Sequence, residues 1–269
     1  MEYKMLVMDM DDTLLRDDQT ISKRNLEAIK KAQEKGVRVV LASGRPTFAM
    51  KECVKQLELD KYNSHILSYN GAVIIDCKSD TIIFEKSLTK EMAHKLYDLS
   101  KEYNVDIHTY VNDDIITENS NQYTEVEANI TGMKIRTIDD FKKAVKGNVI
   151  KVLMLENPEY LKKVEAKLKD TIKDTMNMTI SKPFFLEFMD KGIDKATSLE
   201  RLMNKFGIKK EEVIAMGDSY NDLGMIKFAG LGVCVENAPE DMKKQADYVT
   251  KSNMEDGVAH TIEKFILGK

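Results

Sequence analysis

The sequence predicts an α/β protein: a doubly wound parallel sheet with helices on both faces, interrupted by an inserted α+β segment. Three observations predict it. Short apolar runs alternate with amphipathic helical patterns near both ends of the chain, and such alternation implies right-handed βαβ crossovers and parallel strands. The middle of the chain carries apolar runs in closely spaced pairs, which pair antiparallel. At 269 residues the chain lies between one large domain and two ordinary ones.

Taken in order, the first run is Met5–Met8, ending on a cluster of acids. Ser22 is placed to cap a helix carrying Leu26, Ile29 and Ala32, which Gly36 stops. Residues 37–42 are β-branched and nearly all apolar, as expected of a strand buried on both faces. Pro46 suits the first turn of the next helix, whose inner face holds Met50, Cys53, Val54 and Leu57. In the middle, Met92, Leu96, Leu99 and Tyr103 form one helical stripe and Leu161, Val164 and Leu168 another. Residues 107–110 pair with 115–117, and 178–180 with 184–188. The βα rhythm then returns. Asp194 caps a helix with Ala196, Leu199, Met203 and Phe206 on one face, closed by Gly207. The run 213–216, a polar loop, a short helix around Leu223–Phe228 and the run 231–235 complete the pattern. The expected division is a Rossmann-like core built from residues 1–83 and 190–269, with an α+β insert over 84–189.

Composition narrows the function classes. Apolar residues make up 42% of the chain, enough to bury a core at this length. Lys and Arg number 41 against 45 Asp and Glu, and a net charge of −4 lacks the footprint of a nucleic-acid or anionic-membrane binder. No stretch approaches a transmembrane helix, and acids within the first dozen residues are wrong for a signal peptide. Cys53, Cys77 and Cys234 form no CxxC pair, so a disulfide framework and a zinc knuckle are not expected, and a reducing cytoplasm is. None of the histidines (His65, His94, His108, His260) has a metal-ligand partner at helical spacing.

Four loops carry the chemistry. Asp9-Met10-Asp11-Asp12-Thr13 follows the first strand directly, where open parallel sheets bind ligands. Adjacent acids repel, and a cation or shared proton offsets the cost. A calcium loop is excluded, because Leu14 stands where glycine is needed and Thr20 where a bidentate glutamate is needed. Ser43-Gly44-Arg45-Pro46 ends the second strand and opens a helix, offering a hydroxyl and backbone N–H groups to an anion. Lys195 lies in the first turn of its helix, a position that opposes the helix dipole and by itself reads as surface. The loop from Gly217 through Asp218, Ser219, Tyr220, Asn221 and Asp222 follows another apolar strand, and its oxygens suit a hard cation. Singly these are modest signals. On one edge of one sheet they describe a magnesium-and-phosphate pocket.

The series DMDDTLL, SGR, GIDK and GDSYND, in that order and spacing, resembles the haloacid dehalogenase superfamily of aspartate-nucleophile phosphotransferases. The long insert after Asn70-Gly71-Ala72 looks like the Cof-type branch, which includes sugar-phosphate phosphatases. The resemblance implies a magnesium-dependent phosphatase for small phosphomonoesters, in which Asp9 is the nucleophile and Asp11 the general acid and base. By the same resemblance Mg2+ is held by Asp9, the Asp11 carbonyl and Asp218. Met10, Ser43, Gly44, Lys195 and Asn221 bind the phosphate, Asp222 and Thr13 support them, and the insert is a cap that selects the substrate. Asp12 departs from the pattern, standing where the family usually has glycine. Glu187 and the turn at 110–114 suit substrate-facing and packing positions equally. A phosphomutase would use the same aspartyl-phosphate but return the group to a sugar. A receiver-like phosphate sensor would place its aspartate after the third strand, and a nucleotide-binding module lacks its glycine fingerprint.

Overall fold

The computed structural model describes residues 2–269, which divide into two compact units. One runs to Glu85 and resumes over Asp194–Lys269; the other is Lys86–Ile193. The first stretch contributes strands β1 (Met5–Met8), β2 (Arg38–Ala42), β3 (His65–Ser68), β4 (Val73–Asp76) and β5 (Thr81–Glu85), with helices α1 (Lys23–Glu34) and α2 (Thr47–Gln56). The insert contributes β6 (Asp106–Val111), β7 (Asp114–Thr117), β8 (Lys134–Thr137), β9 (Val152–Leu155), β10 (Met176–Lys182) and β11 (Phe185–Asp190). Its helices are α3 (Lys90–Glu102), α4 (Gln122–Thr131), α5 (Phe141–Ala144) and α6 (Pro158–Ile172). The last stretch adds β12 (Val213–Gly217), β13 (Leu231–Cys234) and β14 (Tyr248–Val249), with α7 (Lys195–Phe206), α8 (Leu223–Phe228), α9 (Glu240–Lys243) and α10 (Gly257–Phe265).

The first unit is built on one eight-stranded sheet in the order β14-β13-β12-β1-β2-β3-β4-β5. From β14 to β3 every pair is parallel. The edge strands β4 and β5 are antiparallel, an addition the sequence pattern does not announce. Strand alternation feeds both faces. Met5, Val7, Val40 and Ala42 pack against Leu199, Leu202 and Met203 of α7 and Met225 of α8. The intervening Leu6, Met8, Val39 and Leu41 are fully buried as well. Truncating one such side chain to alanine costs about 2–5 kcal/mol. The caps follow the local sequence: Ser22 accepts from the Asn25 N–H and Asp194 from the Thr197 N–H, while Gly207 ends α7 in the left-handed region.

The insert is a six-stranded sheet in the order β10-β11-β9-β6-β7-β8. Its close-in-sequence pairs β6/β7 and β10/β11 are antiparallel, and β7/β8 is parallel. Leu96 of α3, Phe141 of α5 and Leu161, Val164 and Leu168 of α6 bury one face, formed by Val152, Met154, Leu186 and Phe188. Glu187 is nearly buried within the insert, where its Oε1 accepts from Lys151 Nζ at 2.9 Å and Ser181 Oγ at 2.7 Å. The Tyr110 hydroxyl donates to Glu127. Strand pairing moves the expected limits of 83/84 and 189/190. β5 keeps Phe84 and Glu85 with the first sheet, while β11 continues through Asp190 in the second.

Candidate active site

The strand order reverses beside β1: the chain moves one way through β2 and β3, and the other through β12, β13 and β14. Such a switch point opens a crevice at the carboxyl ends of the strands. The parallel register levels Met8 with Leu41 and Met216. Asp9, Ser43 and Asp218 therefore leave neighbouring strands on the same edge. Gly217 is required there, because a Cβ at that position would stand 2.4 Å from Asp222 Cβ.

Carboxylate oxygens of Asp9, Asp218 and Asp222 lie within 4.8 Å of one another. Lys195 is fully buried among them, its Nζ donating to Asp9 Oδ1 at 2.5 Å and to Asp222 Oδ1 at 2.6 Å. Its helix position taken alone reads as surface, but Lys195 is buried: two carboxylates compensate a charge that the dipole of α7 opposes. Asp222 turns its other oxygen, Oδ2, to the N–H groups of Asp218 and Ser219 at 3.2 and 3.1 Å, closing the loop that carries them. Thr13 Oγ1, also buried, donates to Asp218 Oδ1 at 3.0 Å.

The titration of these groups follows from burial. Desolvation, and then the Asp222 carboxylate, push the Asp9 carboxyl well above its ordinary range against the pull of Lys195. The same two causes raise Asp218 to about 6, partly opposed by the Thr13 hydroxyl. Burial disfavours the Lys195 charge, but Asp222 and Asp9 outweigh it and hold the ammonium above its ordinary value. Three carboxylates against one ammonium leave an excess of two negative charges. Protons can neutralise that excess, and so can one hard divalent cation on oxygen donors, which is the fit expected for Mg2+.

The neighbouring loop supplies anion-binding groups. Ser43 Oγ accepts from the Arg45 N–H at 3.1 Å, and the Ser43 carbonyl accepts from the Asn70 N–H at 2.8 Å. Gly44 leaves room where a Cβ would press on the Asn70 side chain at 3.3 Å. Asn221 donates from Nδ2 to Asn70 Oδ1 at 3.2 Å. Met10 is buried, and its carbonyl accepts from the Leu14 and Leu15 N–H groups at 3.0 and 2.8 Å, shaping the first loop. Asp9, Thr13, Lys195, Asp218 and Asp222 thus form one bonded cluster, while Ser43, Asn70 and Asn221 form a second, and the Asp11 carboxylate stands outside the acid cluster. Arg45 grips it in two bonds, Nε to Oδ2 at 2.9 Å and a terminal nitrogen to Oδ1 at 2.5 Å. Arg45 also donates to Gln19. Arg45 and Asn70 lie within motifs the sequence displays, but no role for them is readable there. Gln19 carries no local signal at all.

An oxygen-rich cation site beside anion-binding loop groups at the switch point of a parallel sheet, with a buried aspartate against a lysine, defines a class: an α/β enzyme suited to phosphate chemistry. The family model described as haloacid dehalogenase-like hydrolase matches residues 6–262. The chain belongs to that family, and within it is a phosphatase, a phosphoric monoester hydrolase. Among its relatives, the 5-amino-6-(5-phospho-D-ribitylamino)uracil phosphatase YcsE of Bacillus subtilis (strain 168) is 34% identical over 266 residues, covering 99% of this chain and 97% of that protein. A haloacid dehalogenase-like hydrolase from Bacteroides thetaiotaomicron superposes with a TM-score of 0.93 at 43% identity, over 98% of this chain and 99% of that one. The subclass IIB sugar phosphatase BT4131 superposes with a TM-score of 0.82 at 25% identity, over 97% and 98%. No helix among the described residues is long and apolar enough to cross a membrane.

Proposed function

We propose that the protein hydrolyses small phosphomonoesters, a sugar phosphate or a phosphorylated cofactor, in a magnesium-dependent reaction through an aspartyl-phosphate on Asp9. The supporting observation is the three-carboxylate cluster, Asp9 and Asp222 buried and Asp218 partly so, with its two-charge excess beside Lys195. Asp9, Asp218 and the main-chain carbonyl of Asp11 would hold Mg2+. Asp222 remains in support, since Lys195 and two backbone N–H groups already occupy its oxygens. The bound ion would supply positive charge against the phosphate and lessen its repulsion of the nucleophile.

In the first step an Asp9 oxygen attacks phosphorus. The bond from phosphorus to the leaving oxygen breaks with its electron pair, and that oxygen takes a proton from Asp11. In the second, Asp11 removes a proton from water, the resulting oxygen attacks phosphorus, and the Asp9 carboxylate is released with inorganic phosphate. Because Arg45 holds both Asp11 oxygens, one of these bonds must yield for the carboxyl to carry its proton. Lys195, Ser43, Asn221 and the Met10 and Gly44 N–H groups bind the non-bridging oxygens, as preorganised donors that stabilise charge in the transition state. Thr13 orients Asp218. A cytoplasmic setting belongs to this reading, in keeping with three free, buried cysteines.

The test is phosphate release from a panel of sugar phosphates, nucleotides and phosphorylated cofactors, with and without magnesium, beside Asp9→Asn. Magnesium-dependent release that is lost in the variant is expected. Transfer of the group to a second sugar without free phosphate would replace this reading with a mutase. No turnover of any kind would overturn it.

A further inference from the structure

Asp12 follows Asp11 in the left-handed region, with φ of 57°. Glycine adopts that conformation freely, whereas an L side chain adopts it at a cost. The turn is fastened from two segments near the other end of the sequence. Asn237, in the loop between β13 and α9, donates from Nδ2 to the Asp12 carbonyl at 2.7 Å. Its Oδ1 accepts from the Asn253 backbone N–H at 3.0 Å. Asn253, itself buried, donates from its own Nδ2 to the Leu15 carbonyl at 3.1 Å and to Asp17 Oδ1 at 3.2 Å. The two amides therefore form a relay that grips the first loop at residues 12, 15 and 17.

We infer that Asn237 and Asn253 are positioning residues: they hold the Asp12 turn left-handed, and so aim the Asp11 carbonyl and the Met10 N–H that lead into it. The inference rests on the functions proposed above for those two backbone groups. Neither amide is hydrogen-bonded to Asp9, Asp218 or Lys195 among the described residues, so the effect passes through the loop. Without the Asn237 bond, the Asp12 carbonyl loses that donor, and the turn shifts toward right-handed geometry and carries the Asp11 carbonyl with it. A glycine at position 12 has no such preference, so the two positions are coupled in a way that a purely stabilising contact is not.

The experiment compares wild type, Asn237→Asp, Asp12→Gly and the double variant, each as the full chain. Asn237→Asp preserves shape and the acceptor for Asn253 but removes the donor to Asp12. In metal-free protein, amide hydrogen exchange over residues 11–17 is expected to quicken. The variant's kcat is expected to fall about fivefold, with KM changed by less than about twofold. Adding Asp12→Gly is expected to bring kcat to within about twofold of Asp12→Gly alone. Wild-type kcat and exchange in Asn237→Asp would overturn the inference, and so would a loss that glycine at position 12 does not repair. If Asn237→Asp does not fold, Asn253→Asp, which deletes the donor to Leu15, is read by the same two criteria. If wild type itself releases no phosphate with magnesium, the proposed function fails, and the exchange measurement alone decides the role of the relay.

Discussion

Lys195→Met offers the most direct test of the charge arrangement. Methionine keeps most of the volume of the lysine stem but removes an ammonium that bonds two buried carboxylates at 2.5 and 2.6 Å. Breaking a buried pair from one side costs about 3–5 kcal/mol, because the partner charge remains without compensation. For a unit of this size about 1 kcal/mol moves the melting temperature by about 2–4 °C, so a metal-free loss of about 6–20 °C is expected. The loss depends on pH in a definite direction. Removing the cation raises the Asp9 carboxyl further above its already elevated position. A carboxyl raised in the folded state contributes stability at low pH that is lost as pH climbs through the folded pKa. The gap between variant and wild type should therefore widen as pH rises above the ordinary carboxylate range. Saturating magnesium should narrow it, by supplying the missing positive charge. Scanning calorimetry in chelator and in magnesium reads all three effects. A metal-free variant melting within about 2 °C of wild type at about pH 8 would refute the buried-charge account.

Other consequences are similarly specific. Asp9→Asn should abolish phosphate release, yet raise the metal-free melting temperature above neutral pH by about 2–4 °C, since it removes one charge of the excess; an unchanged or lower value would contradict the charge count. Asp218 ionises only above about 6 in the folded protein, against an ordinary 3.8. Metal-free stability should thus fall as pH rises through about 6, and magnesium affinity measured by calorimetry should rise over the same interval. Arg45→Lys keeps the charge but loses the fork that holds Asp11, and should lower kcat about tenfold with a smaller change in KM; steady-state kinetics check it. In the insert, Lys151→Met alone should cost about 3 kcal/mol by urea unfolding, whereas Lys151→Met with Glu187→Leu should recover most of it.

The positions of Asp9, Ser43 and Asp218 are legible in the sequence because each directly follows an apolar strand, and parallel strands deliver their ends to one edge. Lys195 is different. Its place in a first helical turn reads as surface, and only the spacing of all four motifs points inward; the two carboxylates that raise its pKa against its burial are brought to it by the tertiary structure. Arg45, Gln19 and Asn70 act through partners many residues away, and local pattern does not encode such pairs. The hairpin of β4 and β5 escaped for another reason. β4 has an apolar run as continuous as that of β1, but no helical pattern separates it from β3 or from the largely exposed β5, so the alternation that marks the parallel strands is missing here. Asp12, an oddity in the sequence, is explained by one torsion angle: the turn needs a left-handed residue, and aspartate tolerates that region better than most L residues.

The discontinuity of the first unit bears on how the protein is made. Asp218 bonds Thr13 across 205 residues of sequence, and Lys195 meets Asp9 across 186. At about 5–20 residues per second, a ribosome takes about 10–40 s to travel between the two halves of this cluster. During that interval β1 and β2 exist without β12, and the acids after β1 lack the lysine and the second loop that complete the cluster. The nascent chain therefore cannot assemble this cation site early. Synthesis of the last third of the chain becomes the step that brings the chemistry into being.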